Sequence, residues 1–386
     1  MKRNIIIGID ASRNRSGGAV NYLKGILEEV DISYHSIGEI HIWGQKNLLS
    51  NIVGKSFIIK HSHPLLERSL IFQIYWQMFL LPKLLRRNNC DILFTADASS
   101  VCKFKPEIVL SQDLLSYEPG ILDLYKFSRK KLRLYLIYYL QNWAFRRALA
   151  VIFLTKYASC VIQKFSGKLN NITYIPHGVD EDFKNINYNK EELNLKENIS
   201  FTYTSPIEKY KNHKILFRAI KILNDKGFEI TLNLIGAIDL NYQSELLNII
   251  KKNKLETNSI KFHGHLNKKD LIKIYEKTDI FLFPSKCETF GISLLEAMSF
   301  GLPIACSNKS SLPETLRDGG IYFDPDDQVS VANSIEKLIH DSELRNVIKS
   351  KARELAKNYT WKKCSYQTFN FICKEYNRYR NEFKNF

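Results

Sequence analysis

The chain has 386 residues, 45% of them hydrophobic and 25% charged, with a formal net charge of +16. That length suits two domains, each large enough for its own core, and the apolar-to-charged balance is that of a folded soluble protein rather than a disordered or fibrous one. The positive charge admits nucleic acid, an anionic membrane surface or anionic small molecules as partners, and composition does not choose among them. The seven cysteines are scattered, odd in number and without pairs at zinc-ligand spacing, which reads as reduced thiols. The apolar run before Asp10 is too short for a signal-peptide core and no segment reaches the length of a membrane span, so the expected location is the cytoplasm.

Asn4 to Ile9 reads as a short apolar strand, followed by the polar DASRNRSGGA and a helical pattern from Val20 to Glu29, which is the opening of a Rossmann-like unit. Gly17 and Gly18 do not make a G-x-G-x-x-G fingerprint, and no dinucleotide cofactor is read from them. Alternation continues through HIWG near 41, SFIIK near 56, a long helix from Leu66 to Arg87, DILFTA from Asp91 and EIVLSQD from Glu107. This pattern predicts a parallel sheet with helices on both faces. Gln112 and Asp113 stand at the end of the last of these strands.

The densest basic run, KFSRKKLR from Lys126 to Arg133, leads into the aromatic-rich LYLIYYLQNWAFRRALA. It fits either a solvated helix face beside core packing or a helix lying on an anionic membrane surface. VIFLT, from Val151, is a further strand, and NYNKEELNLKENI, ending at Ile199, reads as a connection with an approach helix.

The second half restarts with the strand ISFTYTSP and a helix ending at Gly227, with Lys211 just ahead of it, where an ammonium meets phosphate oxygens. TLNLIG, ending at Gly236, is another strand. His263 and His265 flank Gly264, but no acid or cysteine of suitable spacing accompanies them, and no metal site is assigned. The run PSKCETFGISLLEAMSFGLP, from Pro284 to Pro303, reads as strand end, loop and helix, with Leu294, Leu295 and Met298 spaced to bury one helix face. Gly291 lets the backbone take positive φ, and the helix N-terminus behind it attracts an anion, which makes a seat for phosphate. Glu288 in the loop and Glu296 about one turn into the helix bracket that seat.

Here the sequence resembles the family 4 retaining glycosyltransferases of GT-B type. Their signature is a proline–serine strand end, two glutamates with seven residues between them, phenylalanine–glycine, glutamate–alanine–methionine and glycine–x–proline, and each element is present. NITYIPHGVDEDF, from Asn171, resembles the segment where that family's first domain hands over to its second, and Tyr359 to Trp361 its closing segment. The resemblance implies an α/β GT-B fold: two Rossmann-like domains facing across a cleft, residues 1–178 on the acceptor side with a C-terminal helix, 362–386, crossing back to it, and 179–361 holding the donor.

It further implies that Gly17 and Gly18 face the donor diphosphate and that Lys211 binds phosphate. Lys209 would partly replace an arginine that many relatives carry where Pro206 stands. His263 and Gly264 would touch the nucleotide base, mostly through backbone, and Phe290, Gly291 and Ile292 would line the helix mouth. Glu296 would hold the ribose and Glu288 the donor sugar, with Glu288 and Lys211 as the catalytic pair. Gln112 and Asp113 fall on the acceptor side, where relatives often begin with histidine; an amide orients a hydroxyl but is no base near neutral pH. The implied reaction is metal-free, retaining transfer from a nucleoside-diphosphate sugar, with no other cofactor, to a glycan or lipid-linked acceptor. Its expected setting is bacterial surface polysaccharide or lipopolysaccharide synthesis at the inner, anionic face of the cytoplasmic membrane. Nucleic acid is not an expected partner, because no recognised module is present. A nucleotide-sugar epimerase of similar architecture is the alternative.

Overall fold

The computed structural model describes residues 4–14, 17–126, 128–184, 198–255 and 259–384. The connection expected over 187–199 lies, up to residue 197, outside them. The chain forms two compact units, Met1–Gly178 with Thr360–Phe386, and Val179–Tyr359.

In the first unit, β1 (Ile5–Asp10), β2 (Ile37–Trp43), β3 (Ile58–His61), β4 (Ile92–Thr95), β5 (Glu107–Ser111), β6 (Ala150–Phe153) and β7 (Ile172–Tyr174) form one sheet in the order β3-β2-β1-β4-β5-β6-β7. Every pairing is parallel. A parallel sheet covered on both faces has no wet side, and Ile5, Ile7 and Ile9 of β1 and the whole of β4 are buried accordingly. The helices of this unit are α1 (Gly18–Glu29), α2 (Lys46–Ser50), α3 (Leu70–Tyr75), α4 (Leu81–Arg87), α5 (Arg129–Arg147) and α6 (Lys156–Ser166).

The single helix expected from Leu66 to Arg87 is replaced by a 3-10 turn, Pro64–Glu67, and a helix that starts at Leu70 and widens into a π-turn over Trp76–Leu80. Pro82 has no N–H to donate and its ring crowds the preceding turn, so the backbone relaxes there. The wider turn brings the consecutive Trp76 and Gln77 into the interior and leaves Ile71, Tyr75 and Phe79 facing out.

In the second unit β8 (Ile199–Thr204), β9 (Ile230–Ile235), β10 (Ile260–Gly264), β11 (Ile280–Phe283), β12 (Ile304–Ser307) and β13 (Ile321–Phe323) run parallel in the order β10-β9-β8-β11-β12-β13. Its helices are α7 (His213–Asp225), α8 (Leu240–Lys252), α9 (Lys268–Lys277), α10 (Ile292–Phe300), α11 (Leu312–Leu316), α12 (Gln328–His340) and α13 (Ser342–Ala356). Strand order reverses between β8 and β11, so the loops leaving their carboxyl ends diverge and open the crevice in which doubly wound sheets bind ligands.

The last helix, α14 (Trp361–Lys384), returns to the first unit and packs on α1. Glycine inside a helix costs about 1 kcal/mol against alanine, yet α1 carries Gly25. A Cβ there would stand 2.2 Å from the Trp361 ring. Ser365 Oγ donates to the Ile26 carbonyl at 2.7 Å, and Tyr22 shares a hydrogen bond with Thr368 at 3.2 Å, so polar contacts lock the same seam. His177 lies between Tyr22 and Trp361, and its burial pushes the imidazole pKa down to about 3.

Candidate functional site

The loops that leave β8 and β11 bring Lys211 and Glu288 together. After β8 the chain makes a 3-10 turn, Lys209–Lys211, and enters α7 through Asn212 in the left-handed region. Tyr203 of β8 donates its hydroxyl to the Lys211 carbonyl at 3.1 Å, and the Asn212 amide donates to the Pro325 carbonyl at 2.8 Å, which fixes where the Lys211 side chain starts. After β11, the Lys286 N–H donates to the Tyr210 carbonyl at 2.9 Å, tying the two loops by backbone. Lys211 Nζ then donates to Glu288 Oε1 at 2.5 Å, with the two side chains only 10% and 11% exposed.

Glu288 is itself clamped by the loop after β12. Ser310 Oγ accepts from its N–H at 3.0 Å and donates to its carbonyl at 2.9 Å, while Ser311 Oγ donates to the same carbonyl at 2.8 Å. Thr315 Oγ1 donates to the Phe290 carbonyl at 2.9 Å. Gly291 caps α10 at φ 88 without a side-chain cap, so the first N–H groups of α10, from Ile292 on, stay available. An anion beside Gly291 would meet these dipoles and the Lys211 ammonium, and it would compete with Glu288 for that cation.

Glu296, on α10, is half-buried. Burial, and next the carboxylate of Asp180, push its pKa up to about 8, against the opposing charge of Lys268. Lys268 pairs with Asp180 at 2.5 Å and Asp182 at 3.0 Å. A carboxyl held protonated near neutral pH donates to a ligand hydroxyl as readily as it accepts from one.

Lys209 is turned away from Lys211 onto α8, where it pairs with Glu245 at 3.2 Å and stands 6.0 Å from the Tyr242 ring. The expectation that it replaces an arginine on phosphate therefore meets a competing carboxylate. His263 Nε2 donates to Asn233 Oδ1 at 2.9 Å, and Gly264 follows at φ 67 with open space where a Cβ would be. Among the described residues, no group of three histidines, cysteines, aspartates or glutamates is placed to hold a metal.

In the first unit, Gly17 caps α1 at φ 61 and is exposed, with Gly18 opening the helix; residues 15 and 16 lie outside the described chain. Gln112 donates its amide to the Ala96 carbonyl at 2.8 Å, joining the ends of β5 and β4. Asp113 Oδ1 accepts from the Leu115 N–H at 2.9 Å in a local turn. Beside them Arg13 donates to Ser99, whose hydroxyl donates to Asp97. Buried Asp10 accepts from the Ser12 N–H at 3.0 Å and from Gln77 at 2.8 Å, holding that loop. The sequence reading missed Arg13 and Asp97, although both stand directly after strand ends, where ligands of such sheets bind.

The basic run is only partly helical: Lys126 takes φ 33 and α5 begins at Arg129, capped by Ser128. Lys131 pairs with Asp123 at 3.7 Å and Lys130 lies 4.7 Å from the Tyr125 ring. Tyr135, Tyr139 and Trp143 are exposed, whereas Tyr138 packs on Tyr117 and Phe165. No helix of the described residues is long and apolar enough to cross a membrane.

Residues 168–355 match the family model described as Glycosyl transferases group 1. The chain is 36% identical over 111 residues to O-antigen chain mannosyltransferase B of Escherichia coli, covering 29% of each protein. It is 26% identical over 197 residues to the capsular polysaccharide biosynthesis glycosyltransferase CapM of Staphylococcus aureus, covering 50% of this chain and 49% of CapM. Matches to the first curated relatives span 29%, 21% and 46% of their length.

Among solved structures, sucrose-phosphate synthase from Thermosynechococcus elongatus superposes with TM-score 0.75 at 15% identity, over 99% of this chain and 100% of that one. WaaG, a glycosyltransferase involved in lipopolysaccharide biosynthesis, gives 0.69 at 16% identity over 95% and 99% of the two chains. These likenesses and the two parallel sheets make the fold GT-B.

Proposed function

From the match of residues 168–355 to the glycosyl transferases group 1 family model, we infer that the protein moves a sugar from a nucleoside diphosphate to an acceptor hydroxyl. The observation that carries this reading is the Lys211–Glu288 pair at the switch point of the second sheet, beside the uncapped start of α10. A departing diphosphate needs charge stabilisation as the sugar acquires oxocarbenium character, and Lys211, once the phosphates displace Glu288 from it, supplies this together with the N–H groups behind Gly291. Glu288, freed from Lys211 by the phosphates, takes donor sugar hydroxyls, and Glu296 takes the ribose.

The two carboxylates come from one loop and its own helix, which does not suit the opposed carboxylates of a double-displacement hydrolase. A front-face, retaining path, in which a leaving phosphate oxygen takes the acceptor's proton, is therefore favoured. The relatives named for O-antigen and capsule synthesis support a polysaccharide or lipopolysaccharide product. The cationic start of α5 favours work at an anionic membrane surface.

The test is a panel of nucleotide sugars screened for protection against thermal unfolding, followed by transfer assays with the stabilising donor. Transfer that survives added chelator and yields the donor's own anomeric configuration is expected. Inversion refutes the front-face path, a strict manganese or magnesium requirement refutes the metal-free one, and isomerisation of the donor without acceptor identifies an epimerase instead.

A further inference from the structure

A cavity of about 480 Å³ lies between α3 and α5 of the first unit, of the size that small molecules occupy. Its polar lining comes from the carboxyl ends of β1, β4 and β5, as Arg13, Asp97, Ser99 and Asp113, with Gln73 added by α3 and Gln141 and Arg133 by α5. Arg13 Nη1 donates to the Ser99 carbonyl at 2.9 Å and to its hydroxyl at 2.6 Å, leaving Nε and Nη2 buried without partners. Gln141 is 1% exposed and its Oε1 is likewise buried without a partner. Buried donors and acceptors are normally satisfied, so these three open positions call for an occupant. Donors and acceptors mixed with two carboxylates suit hydroxyls rather than a bare anion.

The walls are of opposite character. Leu70, Ile74, Leu136 and Leu140 line the same cavity, and beyond them Ile71, Leu132 and Tyr139 are 77%, 73% and 67% exposed. Ten of the nineteen exposed large hydrophobics among the described residues belong to α3, the π-turn and α5. Leu132, Leu136, Tyr139 and Trp143 recur at helical spacing, so the apolar stripe on α5 is continuous. An exposed apolar patch of this extent, with Arg129 and Arg133 beside it, suits a hydrocarbon chain near charged headgroups.

We propose that the cavity seats the saccharide head of a glycolipid whose hydrocarbon lies along α3 and α5. Arg13 and Gln141 hold head-group hydroxyls, and Ile71 and Leu136 hold the chain. Naming this ligand the acceptor rests on the transfer reading; its binding does not.

Titration calorimetry of the full chain tests it with octyl glucoside, octyl mannoside and dodecyl maltoside below their micelle concentrations, alongside free glucose and an octyl ether of ethylene glycol. At least one alkyl glycoside should bind ten times or more tightly than either half alone. Gln141→Leu should weaken it about tenfold without changing the octyl ether, and Leu136→Ser should weaken both. Nucleoside diphosphate affinity, unchanged in each variant, reports that the fold is intact. No binding of any alkyl glycoside, or binding indifferent to both substitutions, overturns the site. Capture on phosphatidylglycerol vesicles that needs Leu136 but not Gln141, with no alkyl glycoside bound, reduces the patch to a bare membrane contact and also overturns it. A chain that binds alkyl glycoside but no nucleoside diphosphate keeps this site and sinks the transfer reading instead.

Discussion

Lys211 and Glu288, 77 residues apart in the chain, close one nearly dehydrated ion pair at the point where the strand order of the second sheet reverses. Each is the other's counter-ion, so a ligand that takes the ammonium releases the carboxylate. On the proposed function, binding of phosphate and freeing of Glu288 would thereby be a single event.

Lys211→Ala should lower nucleoside diphosphate affinity by roughly ten- to a hundredfold, since a charge-assisted contact is worth about 1.5–3 kcal/mol. Glu288→Gln should mainly lower turnover, and Glu296→Gln should weaken the donor. Calorimetric binding and steady-state rates on the three variants check this; unchanged affinity in Lys211→Ala would move phosphate recognition elsewhere.

The same pair makes a stability prediction. Removing one partner strands a charge in a site closed to water, at a cost of about 3 kcal/mol, whereas removing both leaves none. Lys211→Met with Glu288→Gln should therefore unfold at higher urea than either single variant. A double variant no more stable than the worse single would show that the two side chains do not depend on each other.

Glu296 sets a pH dependence. Its carboxyl is raised from 4.5 to about 8 in the folded chain, by burial first and by Asp180 next. Between those values the folded state keeps a proton that the unfolded chain releases, so this group's contribution to stability declines as pH rises through the window. Glu296→Gln should melt above the wild type at pH 8 and lose that advantage near pH 5. Parallel melting curves across this range would mean the carboxyl is already ionised in the folded protein.

Gly25→Ala reverses the usual sign. In a free helix alanine is better by about 1 kcal/mol, but here the new Cβ would lie 2.2 Å from the Trp361 ring. Overpacking of this kind costs about 1–3 kcal/mol, so urea unfolding should show a loss, relieved in part by Trp361→Leu. A gain in stability from Gly25→Ala alone would mean α14 is free to move off α1.

Replacing Arg129, Lys130 and Lys131 with glutamate should abolish binding to phosphatidylglycerol vesicles at low salt, because each basic residue near an anionic leaflet is worth about 1 kcal/mol. Donor binding should be spared. Sedimentation with vesicles decides it: equal binding of the triple variant would leave the run a solvated helix face.

What the sequence determined by itself is local. Continuous apolar runs such as IFLF at 280–283 announce strands buried on both faces, and Gly291 announces a positive φ at the mouth of α10, because both depend on the residues at hand. Their alternation with amphipathic helices sufficed for a parallel α/β sheet, while the GT-B fold was implied by the motif resemblance carried by the run from Pro284 to Pro303. Pro82 even carried the cause of the π-turn, but its effect needed the geometry of the turn before it. Everything that joins distant segments was decided in three dimensions. Lys209 and Lys211 differ little in sequence context, yet one crosses to Glu288 and the other to Glu245, because the 3-10 turn aims them at different loops. Tyr138 and Tyr139 are neighbours of one type, yet one is packed and the other open, since α5 buries a single face. Arg13 gains meaning only when β1, β4 and α5 meet around one cavity. Chain periodicity says which face a residue takes, and the crossover connections of the sheet say what stands opposite it.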